Sequence, residues 1–200
     1  MREDCYNGAM LRIGIIGLGR HGRRYADHLA RGDVPGARLA GFWRRDQAQA
    51  ALDAQALGAP ACPTPAALLA ASDAVVITVP AAEHEGLATA AAEAGKPTLI
   101  EKPLARTVAE GSAIAAAFEA RGGQLMVAQT LRFDPLTRAL GAHAAGRVLV
   151  GFDLEQRLEP RGLAWELDPT TAGGGVLIQT GIHGLDKLRF LTGAPVELLY

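Results

Sequence analysis

The chain has 200 residues, 49% apolar and 20% charged, which makes it globular and excludes a disordered or fibrous chain. Twenty basic and 21 acidic residues leave a net charge of −1, so no global field draws in nucleic acid or an anionic membrane. No apolar run reaches the ~18 residues that a membrane helix needs. The opening MREDCYNGAM lacks the apolar core of an export signal, and Cys5 and Cys62 form no metal or redox motif, so a reducing cytoplasm is the expected setting.

Thirty-nine alanines and 24 glycines against 5% aromatics point to helices packed closely on a sheet. Residues 11–16 (LRIGII) predict a buried strand that runs into GLGRHG and then a helix to about Arg31. A second strand is expected over 38–43, followed by helices over 46–57 and 66–71. AVVITVP at 74–80 is a continuous β-branched run of the kind covered on both faces. A helix over 82–94 stops at Gly95, and a strand over 97–100, a helix over 108–121 and a strand over 124–129 follow. Strands alternating with helices imply a parallel, doubly wound α/β sheet, expected to occupy residues 10–129.

From residue 130 to 200 the pattern changes. A helix near 135–145 precedes an alternating stretch at 147–156, where Val148, Val150, Phe152 and Leu154 share one face, as in an antiparallel strand with one side covered. Residues 157–172 read as irregular, 174–191 as a helix after a Gly-rich turn, and 195–200 as the opening of another strand. Two strands and two helices make a poor core alone, so this reads as an incomplete second domain.

The first chemical motif is Gly17-Leu18-Gly19-Arg20-His21-Gly22. Gly17 permits the tight turn, Gly19 lets the backbone approach a pyrophosphate, and Gly22 lets the helix pack on the strand, with Arg20 and His21 at the helix opening. Its place after a strand and before a helix makes this a dinucleotide fingerprint. At the end of the second strand an NAD site usually places a carboxylate. Here stand Trp43-Arg44-Arg45, and guanidiniums suit a 2′-phosphate, so NADP is expected, with NAD as the alternative. Glu101-Lys102-Pro103 follows the 97–100 strand at the carboxyl edge of the sheet, where Lys102 can donate to a substrate oxygen. Gln179, His183 and Asp186 are spaced by four and three on one helix face. His183 can then move a proton near neutrality, with Asp186 free to orient its other nitrogen. No metal-ligand motif occurs.

These pieces carry a resemblance. GLGRHG, ITVPAAEH with Pro80 and His84, AGKPTLIEKPLA, RFDP at 132–135 and WELDPTTAGGGVLIQTGIHGLD at 165–186 occur in one order from about residue 11 to 193. Together they resemble the glucose–fructose oxidoreductase, inositol dehydrogenase and MocA-like family of NAD(P)-dependent oxidoreductases. The resemblance implies a Rossmann domain followed by an α/β domain with a largely antiparallel sheet, and hydride transfer at a hydroxyl or carbonyl carbon of a sugar, polyol or derivative. It places Lys102 and His183 on the family's catalytic lysine and histidine. Glu101 and Pro103 complete the loop beside the nicotinamide ribose, with Pro80 and His84 in the neighbouring cofactor segment. Arg132 falls on the motif that opens the second domain.

Two departures matter. Gln179 stands where the dehydrogenases commonly carry Asp, and an amide cannot accept a proton at neutral pH. Thr130-Leu131 precede Arg132 where the family often has Asn and another polar or aromatic residue. A non-catalytic, dinucleotide-binding sensor is therefore the competing expectation. A homo-oligomer built through the second-domain sheet is expected where that domain is complete. The length thus reads as one domain and part of a second.

Overall fold

Five of the expected strands form one parallel sheet in a computed structural model of the protein, which describes residues 10–147, 151–153, 155 and 168–194. Contacts divide the chain into two units, Met1–Val127 and Ala128–Tyr200. In the first unit the strands are β1 (Leu11–Ile16), β2 (Ala37–Trp43), β3 (Ala74–Ile77), β4 (Thr98–Ile100) and β5 (Leu125–Val127), in the order β2-β1-β3-β4-β5. The helices are α1 (Arg20–Ala30), α2 (Gln47–Leu57), α3 (Pro65–Ala71), α4 (His84–Glu93) and α5 (Val108–Glu119).

Alternation within the strands decides the two faces of the sheet. Ile16, Val75, Ile77 and Ile100 are buried with Leu68 and Leu69 of α3, Ala88, Ala91 and Ala92 of α4, and Ile114 and Phe118 of α5. Ile15, Leu39 and Val76 are buried with Ala26 and Leu29 of α1 and Ala50 of α2. The alanines let helix backbones lie close to the sheet, which explains a dense core with few aromatics. Gly14 serves the same end, because a Cβ there would stand 2.4 Å from Ser72 Oγ at the end of α3.

β3 is shorter than its β-branched run. Thr78 N–H still donates to Ile16 O at 2.8 Å, but Pro80 has no N–H to continue a ladder. The chain turns there, and the expected helix starts as a 3-10 turn, Ala81–Glu83. β1 runs to β2 in one direction and the chain then crosses back to β3 on the other side. The strand order therefore reverses beside β1, and ligands of open α/β sheets bind at the carboxyl ends of strands at such a point.

In the second unit a 3-10 turn, Thr130–Phe133, leads into α6 (Pro135–Ala144), whose N-terminus is capped by Asp134 accepting from Thr137 N–H at 3.0 Å. A single helical turn, α7 (Pro169–Ala172), occupies part of the stretch read as irregular. Asp168 accepts from Thr170 N–H at 2.8 Å and Pro169 suits a first helical position. The helix expected from 174 starts later, as a π-helical turn at Leu177–Gly181 followed by α8 (Ile182–Thr192). Three consecutive glycines, 173–175, disfavour helix and delay it. Half of the strand expected over 147–156, residues 148–150, 154 and 156, lies outside the described residues, and 151–153 and 155 belong to no strand. The strand expected over 195–200 lies wholly outside them. Among the described residues no helix is long and apolar enough to cross a membrane.

At the amino end of β1, Arg12 forks onto Asp73 through Nη2 at 2.6 Å and Nε at 3.1 Å, and its N–H donates at 2.9 Å. The Arg12 side chain first, and its backbone N–H second, hold the Asp73 carboxyl down at about 2. A carboxyl whose folded pKa lies below its unfolded value of about 3.9 stabilises the fold fully above pH ~4 and loses that contribution as pH falls toward 2. The Asp73→Asn variant should therefore lose less melting temperature than the wild type between pH 4 and pH 2. Equal acid slopes in the two proteins would refute the assignment.

Candidate functional site

The loops that leave β1, β2, β3 and β4 share one edge of the sheet, and the first unit's candidate residues stand on them. After β1, Gly17 turns with φ 95°, in the left-handed region where a side chain is strained. A Cβ on Gly17 would also lie 2.7 Å from Val79 Cγ1. A Cβ on Gly22 would lie 1.9 Å from Gly17 O and 2.6 Å from Thr78 Oγ1, so the first turn of α1 rests directly on the glycine turn. Gly19 differs, because a Cβ there meets nothing within 4 Å. Its face is an open cradle that a side chain would fill.

Local sequence explains why that opening suits an anion. α2, α3 and α5 begin with side-chain caps, Asp46, Thr64 and Thr107, each accepting a backbone N–H three residues on. α1 begins at Gly19 with no side-chain cap. Its first-turn N–H groups and dipole therefore favour a negative group, which fits the pyrophosphate of a dinucleotide. Arg20 and His21 are exposed in that turn.

The arginines after β2 are each met by a carboxylate. Arg44 Nη1 donates to Asp53 Oδ2 at 2.5 Å, and Arg23 Nη1 donates to Asp53 Oδ1 at 3.2 Å. Arg45 reaches Glu83 Oε1 at 2.7 Å while its side chain stays 79% exposed. No carboxylate occupies the end of β2 itself.

After β3, Pro80 opens the 3-10 turn and His84 is buried. Its Nε2 lies 2.9 Å from Val79 O and its Nδ1 3.0 Å from Leu104 O. Both ring nitrogens face backbone carbonyls. His84 fastens the turn after β3 to the segment after Pro103.

After β4, Glu101 accepts from the Tyr25 hydroxyl of α1 at 3.0 Å and from Lys102 N–H at 3.2 Å, and His21 Nδ1 stands 3.9 Å away. Burial, and then the Glu101 charge, push the Tyr25 hydroxyl well above the ordinary phenol range, so it remains a donor. Lys102 is half-buried, and Pro103 is buried behind a cis Lys102–Pro103 bond.

In the second unit, His183 is half-buried near the start of α8, and Gln179 lies in the π-helical turn, where its Nε2 donates to Ala172 O at 3.3 Å. Asp186, one turn on from His183, is met by an arginine. Arg132 forks onto it, Nε to Oδ2 at 2.8 Å and Nη2 to Oδ1 at 2.5 Å, and also stands 5.9 Å from the Phe190 ring centre. Arg132 thereby ties the turn at Thr130–Phe133 to the helix that carries His183.

Sequence reasoning missed Tyr25, Asp53, Thr78 and Glu83. Thr78 donates its hydroxyl to Gly17 O and supports the turn from β3. Asp53 had one signal, as the lone charged residue of the alanine- and glutamine-rich stretch 47–57 just after two arginines. Nothing local marked Tyr25 or Glu83.

The chain is similar to inositol 2-dehydrogenase 1 of Saccharopolyspora erythraea, 40% identical over 147 residues, covering 68% of this chain and 43% of that protein. It is similar to D-xylose 1-dehydrogenase (NADP(+)) 2 of Haloferax volcanii, 36% identical over 158 residues, covering 76% of this chain and 48% of that protein. Among solved structures, that of GenD2 from gentamicin A biosynthesis in complex with NAD superposes with a TM-score of 0.81 at 26% identity, covering 98% of this chain and 57% of that one. The chain thus spans about half the length of the relatives it matches. Residues 11–129, the whole of the sheet and its glycine turn, match the oxidoreductase family with an NAD-binding Rossmann fold, and the chain belongs to that family, GFO/IDH/MocA.

Proposed function

We propose that the chain carries the dinucleotide-binding domain and the catalytic helix of an NADP-preferring oxidoreductase. Its substrate class is a sugar, polyol or related small molecule, oxidised or reduced at a hydroxyl or carbonyl carbon. The observation that supports this best is the carboxyl edge of the first unit. There a glycine turn open at Gly19, an uncapped α1, two arginines after β2 and Lys102 after β4 occupy neighbouring loops. The relatives' names, inositol and D-xylose dehydrogenases, support the substrate class.

When bound, the nicotinamide supplies the hydride acceptor or donor. The Lys102 ammonium stabilises negative charge developing on the substrate oxygen, and the His183 imidazole takes the hydroxyl proton in oxidation and returns it in reduction. The Gln179 amide orients without accepting a proton. That amide also favours a second reading, a sensor that binds the dinucleotide without turning over.

The test begins with equilibrium titration of NADP and NAD, followed through Trp43 fluorescence at the end of β2. NADP should bind about tenfold tighter than NAD, the worth of a charge-assisted contact to the 2′-phosphate. A panel of polyols with NADP, and of keto-sugars with NADPH, then shows turnover by the change in reduced cofactor. Absence of binding, or tighter NAD, sinks the cofactor reading. Tight NADP binding with no turnover across the panel selects the sensor.

A further inference from the structure

We propose that Asp53 and Glu83 determine the dinucleotide selectivity of this site by holding the charges of Arg44 and Arg45 in ion pairs. The inference rests on the dinucleotide reading above and adds the residues that set its preference.

Two guanidiniums follow β2, and each is met by a carboxylate from a different element. Asp53 of α2 accepts Arg44 Nη1 at 2.5 Å on one oxygen, and Arg23 Nη1 at 3.2 Å and Gln49 Nε2 at 3.4 Å on the other. Arg23 in turn donates through Nε to Asp27 at 2.8 Å. The line Asp27, Arg23, Asp53, Arg44 therefore alternates in sign and sums to zero. Glu83, in the turn after β3, cancels Arg45 at 2.7 Å.

A 2′-phosphate brings about −1.5 to −2 charges to the end of β2, and the ribose hydroxyl of NAD brings none. Two free guanidiniums would discriminate strongly between these ligands. Two neutralised pairs discriminate less, because the phosphate must approach Asp53 and Glu83 as well as the arginines. The carboxylates thus lower the NADP preference that the arginine pair would otherwise give. Burial ranks them. The Asp53 side chain is 10% exposed and its charge is weakly screened, whereas the Arg45–Glu83 pair is screened by solvent around a 79% exposed arginine.

The test measures dissociation constants for NADP and NAD, at one low ionic strength, on wild type, Asp53→Asn and Glu83→Gln. Both substitutions keep shape and remove charge. The ratio of the NAD constant to the NADP constant should rise about tenfold in Asp53→Asn and about threefold in Glu83→Gln, through tighter NADP binding. An unchanged or lower ratio in either variant overturns the assignment for that carboxylate. Glu83→Gln decides the Glu83 assignment by itself, and Asp53→Ala, which also removes the charge and suits the helix, decides the Asp53 assignment if Asp53→Asn fails to fold. A wild type that prefers NAD sinks the NADP preference proposed above while the variant ratios still report on the carboxylates. A wild type that binds neither dinucleotide overturns both.

Discussion

Gly22→Ala is expected to lose dinucleotide binding and to destabilise the fold by about 3 kcal/mol, the upper range for forcing an extra methyl into a packed site. The added Cβ would stand 1.9 Å from Gly17 O, a backbone atom that cannot swing aside as a side chain can. Relief requires α1 to lift from the glycine turn, which moves its first N–H groups and opens the packing of Ala26 and Leu29 against the sheet. Gly19→Ala is the control. Its backbone has φ −78° and ψ −165°, open to any residue, and its Cβ meets no atom within 4 Å. That variant should melt with the wild type yet bind NADP at least tenfold more weakly, because the methyl fills the space a pyrophosphate would use. Thermal denaturation and equilibrium titration on the two variants separate folding from binding. Wild-type affinity in Gly19→Ala would remove the pyrophosphate from this turn.

Lys102→Ala and His183→Ala should each lower kcat by about 10²- to 10⁴-fold, the usual contribution of a positioned proton-transfer or charge-stabilising group. Dinucleotide affinity should change little, since the glycine turn and the β2 arginines remain. The surroundings of Lys102 make the substitution local. Glu101 is held by the Tyr25 hydroxyl and by the Lys102 N–H, a backbone donor that alanine keeps. Pro103 stays buried beside it. On α8, the Arg132–Asp186 fork fixes the helix independently of the imidazole one turn away. Steady-state kinetics with equilibrium binding on the same preparations check the prediction. Lys102→Arg sharpens it, because it keeps the charge and alters the geometry and proton chemistry, so recovery in that variant points to charge stabilisation alone. Turnover near that of the wild type in either alanine variant would remove the residue from the proposed chemistry.

How legible the site was depended on the range of each signal. GLGRHG could be read because spacing along a few residues fixes the turn, and the structure gives each glycine a separate reason: the φ of Gly17, the openness of Gly19, the contact of Gly22. The end of β2 was half legible. Two arginines and no carboxylate stood in the sequence, but their partners came from positions 53 and 83. The carbonyls that meet His84 and the arginine that meets Asp186 were illegible for the same reason. A ring or a carboxylate can be assigned to a helix face from spacing, but not to the carbonyl or guanidinium that reaches it from another loop. Arg132 lies 54 residues from Asp186, and no periodicity links them.

The alternation of strand and helix, the glycine turn and the residues at the carboxyl ends of the strands are all legible in the amino-acid order. Those properties follow from backbone preference and hydrophobic period over a few residues. The pairing of the β2 arginines with carboxylates, the tie that His84 makes between two loops and the fork of Arg132 on Asp186 emerge only once the chain is folded. Ion pairs and buried hydrogen bonds form between whichever groups the sheet order brings within about 3 Å, and that order is a property of the whole chain.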